Sequence, residues 1–349
     1  MGCGASNTLE TSEFRKNEQN KKTSFLKVME NHKSISSAVN DLVQYRNRFS
    51  TNEESITKIV EEYKSSAKDN KFKDEELKDI ISYALAKTSG IKCQKKVGKG
   101  TSFLLEVTKI YNDDKQKIAE KVFKENTGEE YDIIFVELEH QSFLKHVVRT
   151  INFDPEYASY NSMMFLIDES AVDCLESMTE LAFLIKSHPL KNLVIGLGNT
   201  VKANSLDNVS LLFEGVALSK TLKNFTFVRL YDQTFTLKPE TSLKIINATA
   251  HAKIQSLGIV NFTLGDQERS KFLHAISTNS NISLVGIQDI GATPKDVEVI
   301  STALSKSKTL RCLLIGVRTN DCDEVEKKNI DLFKGNSKFE GLVLGLLKS

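Results

Sequence analysis

No proline occurs before Pro155, although the chain runs to 349 residues and holds four prolines in all. Nothing therefore interrupts helices in that first stretch, because an interior proline removes a backbone donor and clashes with the preceding turn. The five cysteines, Cys3, Cys93, Cys174, Cys312 and Cys322, include no CxxC pair and no close, even framework. That argues against a disulfide-stapled scaffold and for free thiols in a reducing compartment. Excess charge is missing too: 47 basic against 46 acidic residues leave +1, so nothing calls for nucleic acid as a partner. No apolar run approaches the roughly 20 residues that span a bilayer, and the N-terminus lacks the apolar core of a secretory signal. His32, His140, His146, His188, His251 and His274 show no metal-ligand spacing. Cys174 and His146 can be paired on paper as nucleophile and base, but no motif gives them a mechanism. The expectation is a non-enzyme without metal or cofactor.

What is present begins with the first six residues. Met1-Gly2-Cys3-Gly4-Ala5-Ser6 fits the myristoylation pattern, with Gly2 exposed after methionine removal and a hydroxyl residue at position six. Cys3 stands beside it, placed to take a palmitoyl chain. One myristoyl chain holds a membrane only marginally, and a second chain or a basic patch makes attachment durable. Arg15, Lys16, Lys21, Lys22 and Lys27 supply a modest basic supplement. The segment resembles the heads of dually acylated eukaryotic proteins, which implies a site on the cytoplasmic face of a membrane.

Residues 1–24 read as a polar, disordered head, 25–128 as a helical domain packed on the first repeat, and 129–349 as a repeat domain. Helical spacing runs through Ile35, Val39, Leu42 and Val43, through Ile56, Ile59, Val60 and Tyr63, and through Leu77, Ile80, Ile81 and Ala84. Thr51-x-x-Glu54 fits a capping box ahead of the second, and Gly90 a stop after the third. A fourth stretch covers Leu104 to about Phe123, with a break near Asn112-Asp113. No apolar heptad persists over three repeats, so a free-standing coiled coil is not expected. Lys87, Lys92, Lys95, Lys96 and Lys99 occur with no acidic residue among them, either as a solvated loop or as a second contact with anionic lipid.

Self-comparison carries the strongest signal. A frame L-x-x-L-x-L fits Tyr131/Ile134/Val136, Tyr160/Met163/Phe165, Leu190/Leu193/Ile195, Leu222/Phe225/Phe227, Ile254/Leu257/Ile259, Ile282/Val285/Ile287, Leu310/Leu313/Ile315 and Phe339/Leu342/Leu344. Successive frames start 29, 30, 32, 32, 28, 28 and 29 residues apart. Helical segments fill the intervals, with Thr293 as N-cap and Pro294 in the first turn of the clearest one. Residues 131–349 resemble leucine-rich repeats of the ribonuclease-inhibitor type, one strand and one helix per unit. That resemblance implies an α/β solenoid, a horseshoe with a parallel sheet inside and helices outside, of about eight repeats. The family's asparagine three residues after the frame is replaced by Gly198, Leu230 and Ile290, which puts the turns in doubt. A doubly wound α/β domain is the alternative, suggested by Gly196-Leu197-Gly198, although Val201 stands where its third glycine belongs.

In such strands the frame residues face the core and alternate residues face the cavity. The cavity column is then Phe135, Met164, Val194, Thr226, Gly258, Gly286, Leu314 and Val343, flanked by Asn192, Asn224, Ser256, Leu284 and Cys312 on one side. Gly196, Val228, Val260, Gln288 and Gly316 flank it on the other. None of these is charged, so the surface suits an apolar or backbone-close partner such as a helix laid in the groove. Equally, the protein's own N-terminal helices would cover it. The last frame is expected to leave a sheet edge. The functional expectation is a lipid-anchored protein-interaction scaffold. The alternatives are an enzyme regulator such as a GTPase activator, or a cytoskeletal cap like tropomodulin, whose kind also joins helices to such repeats.

Overall fold

The computed structural model describes the chain apart from residues 1–11, 46–52, 68–70, 95–112, 128–132, 138–143, 199–200, 202–206, 230–234, 289–292, 318–321 and 347–349. Gly2 and Cys3 lie outside the described residues. The chain enters through helices α1 (Ser12–Tyr45), α2 (Glu53–Ser66) and α3 (Asp74–Leu85), the last widening into a π-type turn over Ala86–Gly90. Asp74, Glu75 and Glu76 crowd the first turn of α3, where a helix favours negative charge.

The head expected to be disordered to residue 24 is helical from Ser12 onward, in a helix of 34 residues. A stripe of period seven seats it: Glu18, Phe25, His32 and Val39, with Lys21, Val28, Ile35 and Leu42 alongside, are buried or half-buried. A repeat of 3.5 residues per turn keeps one seam of a helix against its support. The chief support is α3. Phe25 meets Tyr83 edge-on at 5.5 Å, and His32 meets the same ring at 5.0 Å. Two stripe positions carry charge and one an imidazole, which hides the heptad from a purely apolar reading.

Strand β1 (Lys92–Gln94) pairs antiparallel with β2 (Ile133–Glu137), so the region expected to be wholly helical also contributes a strand. Helix α4 (Asp113–Thr127) stands between these two strands in the chain. From β2 onward the pairing is parallel, through β3 (Ser162–Ile167), β4 (Asn192–Leu197), β5 (Asn224–Arg229), β7 (Ser256–Val260), β9 (Leu284–Gln288), β10 (Cys312–Val317) and β11 (Gly341–Leu346). Two short strands, β6 (Phe235–Thr236) and β8 (Phe262–Thr263), pair with each other apart from this sheet. The order of the large sheet follows the chain with no reversal, and β11 forms its edge. Helices α5 (Leu144–Phe153), α6 (Glu169–Asp173), α7 (Leu175–Ser187), α8 (Val209–Leu218), α9 (Pro239–His251), α10 (Asp266–Thr278), α11 (Pro294–Leu304) and α12 (Cys322–Ile330) fill the intervals. The architecture is α/β, a parallel sheet with helices, preceded by a mainly helical N-terminal region.

The frame positions meet across the sheet. Ile134, Met163, Leu193, Phe225, Leu257, Val285, Leu313 and Leu342 stand on one row, each paired with the next. All eight are buried, in one continuous core with the helices. Within it Phe213 meets Phe225 edge-on at 5.2 Å, and Phe227 stacks on Phe262 at 4.4 Å. Gly215 lets α8 lie close to α7: a Cβ there would stand 2.6 Å from the Ala182 carbonyl oxygen.

Helix starts and ends are set by particular residues. Pro239 and Pro294 occupy first-turn positions, and Thr293 forms a reciprocal capping box with Asp296. At two helix-to-strand turns an asparagine side chain clamps one unit to its predecessor. Asn279 donates to the carbonyls of Thr249 and Ala252, both at 2.9 Å, and accepts from the Asn281 amide at 2.8 Å. Asn336 donates to the Ser307 carbonyl at 3.0 Å and the Leu310 carbonyl at 2.8 Å. Asn261 adopts φ 61° and donates to the Arg229 carbonyl at 2.8 Å. Such left-handed positions suit asparagine, whose short amide bonds locally.

Candidate functional site

Phe135, Met164, Val194, Thr226, Gly258, Gly286, Leu314 and Val343 form a single row, each paired with the next across the sheet. From Met164 to Val343 they alternate with the frame residues and so occupy the sheet face turned away from the continuous core. Their surroundings change along the row. Met164 and Val194 are half-buried, as is Leu166 beside them. Thr226, Gly258 and Gly286 are buried, and Leu314 and Val343 are each only 1% exposed.

A polar ladder borders the open end. Asn224 donates to Asn192 Oδ1 at 2.6 Å, and Asn192 donates to Ser162 Oγ at 2.8 Å. This chain of amides fixes side-chain direction while leaving the row itself apolar.

The closed end is explained by helix α4, which lies against β9, β10 and β11. Ala119, Val122 and Phe123 of α4 form a separate small core with Leu284, Cys312, Leu314 and Val343. Two of the eight expected surface positions, Leu314 and Val343, are therefore covered by the chain itself, because their apolar side chains face an apolar helix. Part of the region expected to pack on the first repeat thus reaches the last. Burial pushes the Cys312 thiol up to about 12, which keeps it a neutral, unreactive side chain.

Charge fixes α4 at its edges. Lys121 Nζ lies 2.8 Å from Glu340, and Arg311 pairs with both Glu125 and Glu340. Partial burial disfavours the Glu340 charge, but hydrogen bonds from Lys121 and Arg311 outweigh it and hold the carboxyl below its usual range. Asn126 completes the seat, donating to Ser256 Oγ at 2.9 Å and Ser283 Oγ at 3.2 Å. The sequence offers coverage of this face by the N-terminal helices as one of two alternatives, and over β9–β11 that alternative holds, through α4; which helix and which strands it does not specify. The available signal was Leu284, Cys312, Leu314 and Val343 at alternate positions of successive strands, where a solvated face would be polar.

The charged residues expected near a membrane are placed differently from one another. Lys16, Lys22 and Lys27 are exposed. Lys21 instead bridges Glu18 at 2.9 Å and Glu180 at 2.7 Å, and Glu180, 2% exposed, also takes Arg149 at 2.7 Å. Lys87 pairs with Asp154 and Glu156, and Asp154 accepts the Tyr83 hydroxyl at 2.8 Å, so Lys87 is engaged inside the protein. The side chains of Lys92, Lys95, Lys96 and Lys99 are not among those described. Cys174 precedes α7 and His146 lies on α5; burial holds His146 far below the usual imidazole range. Among the described residues no group of histidine, cysteine and carboxylate side chains is arranged to hold a metal ion, and no helix is long and apolar enough to cross a membrane. No protein-family model matches the sequence, and no curated protein matches it either.

Proposed function

We propose that residues 129–349 are a leucine-rich-repeat solenoid of the ribonuclease-inhibitor type, and that the protein is a lipid-anchored interaction scaffold on the cytoplasmic face of a membrane. The observation that carries the reading is the row from Phe135 to Val343, one residue from each of eight parallel strands taken in chain order. An unbroken order supports stacked repeats over a doubly wound sheet, which reverses direction at a switch point. Within that row Met164 and Val194 are the described side chains with solvent access, an apolar patch bordered by amides. A protein partner binds there through apolar contact, and acylation of Gly2 and Cys3 restricts where that partner is sought.

The test is a capture from membrane fractions with the intact chain, a Gly2→Ala form and a Val194→Asp form. Gly2→Ala should leave the membrane, because palmitoylation follows transient myristoyl binding. Cys3→Ser should leave weak, salt-sensitive attachment through one chain and Lys16, Lys22 and Lys27. Val194→Asp should stay on the membrane and lose the captured protein. A Gly2→Ala form that remains fully membrane-bound would sink the lipid anchor. Loss of a small GTPase in the Val194→Asp capture would turn the scaffold into a GTPase regulator, and loss of actin would make it a cytoskeletal cap.

A further inference from the structure

Helix α4 sits on the sheet as a bound peptide would. Its apolar side chains meet Leu314 and Val343 in a core separate from the continuous one on the other face of the strands. The strands that seat it are therefore packed from behind without its help. Gly341 leaves room for the helix to approach: a Cβ there would stand 3.3 Å from Ile118 Cδ1. On the two flanks the charges are complementary, Glu125 to Arg311 and Lys121 to Glu340. A helix-in-groove contact has this form: apolar anchors one turn apart, and polar groups that set register and direction.

We propose that the groove over β9–β11 is a receptor site for an amphipathic helix of a partner protein, and that α4 occupies it as an internal competitor. The inference rests on reading the outer sheet face as the partner-binding surface. The partner is defined by what α4 presents: two apolar pairs one turn apart, as in Ile118-Ala119 and Val122-Phe123, a carboxylate for Arg311 and a cation for Glu340. With α4 seated, Met164 and Val194 are the side chains of the row with solvent access among those described. With α4 displaced, Leu284, Leu314 and Val343 become a second apolar patch on the same sheet face.

The experiment uses the full chain carrying Val122→Asp and Phe123→Asp, with a labelled synthetic peptide of residues 113–127 as probe and anisotropy as readout. The double variant should keep a cooperative unfolding transition and bind the peptide saturably. The wild-type chain should bind it about tenfold more weakly or worse, because a seated α4 lowers the competent fraction. Adding Arg311→Ala to the variant should weaken binding again. A variant that loses its fold, or one that folds and does not bind, overturns the proposal and makes α4 an integral structural element. Hydrogen exchange on the wild-type chain gives a second check: α4 amides should exchange before those of β9–β11, and equal protection would overturn the proposal. If the peptide binds but the Val194→Asp capture loses no protein, the groove stands and only the scaffold reading falls.

Discussion

Gly215 sets two effects of a single methyl against each other. Alanine inside a helix is worth about 1 kcal/mol over glycine by propensity, so an isolated α8 would gain from Gly215→Ala. In the protein that methyl would stand 2.6 Å from the Ala182 carbonyl oxygen, and overpacking costs about 1–3 kcal/mol. The overpacking should win, and denaturant unfolding should show a destabilised variant; a stabilised one would mean α7 and α8 separate freely. Asn279→Ala tests the clamp, since it strips donors from two carbonyls and leaves the Asn281 amide without its acceptor. The expected loss is about 1–3 kcal/mol, against less than about 0.5 kcal/mol for Ala at the exposed Asn247. Leu314→Asp should cost more than Val194→Asp, because a charge facing α4 either stays buried unpaired or unseats that helix and forfeits its packing. Equal losses at the two sites would contradict the division of the row into open and covered halves. The core frames were legible because leucine, isoleucine and phenylalanine recur at a near-constant interval. The clamps were not, because Asn279 and Asn336 act by hydrogen-bond geometry and not by hydropathy.

At the scale of the element, α1 and α4 part company with the sequence reading for related reasons. The α1 heptad is real in burial and invisible in hydropathy: Glu18 and Lys21 occupy seam positions because Glu180 and Arg149 receive them. Removing Glu180 leaves Lys21 with Glu18 alone and Arg149 with the more exposed Glu176. Glu180→Ala should cost about 1–3 kcal/mol, less than an orphaned buried charge because both cations are partly exposed and each keeps a second carboxylate. It should also make α1 the first site of limited proteolysis. If α1 keeps full protection, the cluster does not hold the helix in place. For α4 the amphipathic pattern was plain, but a helix pattern names a face and not its destination. Only the apolar residues of β9–β11 on the outer face pointed there, and they are far from α4 in the chain.

For the molecule as a whole, three histidines couple stability to pH. Burial lowers the pKa of His32, His146 and His188. The unfolded chain therefore takes up protons near the ordinary value of 6.5 while the folded chain still resists them. Their contribution is complete above that value and is lost as pH falls below it. Glu18 and Asp79, raised by burial, work in the opposite sense at lower pH. His188 Nε2 lies 2.9 Å from the Tyr160 carbonyl oxygen; His188→Gln keeps an amide donor but removes the titration. Stability followed from pH 7 to 6 should fall less steeply in that variant, and an unchanged slope would remove His188 from the account. In the large sheet each strand pairs with strands that follow closely in the chain, which is why a one-dimensional pattern reveals so much of it. The pairing of Lys121 with Glu340 departs from this, at a separation of 219 residues. During synthesis the chain folds from its N-terminal end at a pace set by translation. Helix α4 therefore emerges long before Arg311, Leu314 and Val343 exist to receive it. For that interval Ile118, Ala119, Val122 and Phe123 form an unsheltered apolar stripe, the kind of surface that chaperones guard. Its disappearance marks the arrival of β11, so the docking of one early helix reports that strands β9, β10 and β11 are all in place.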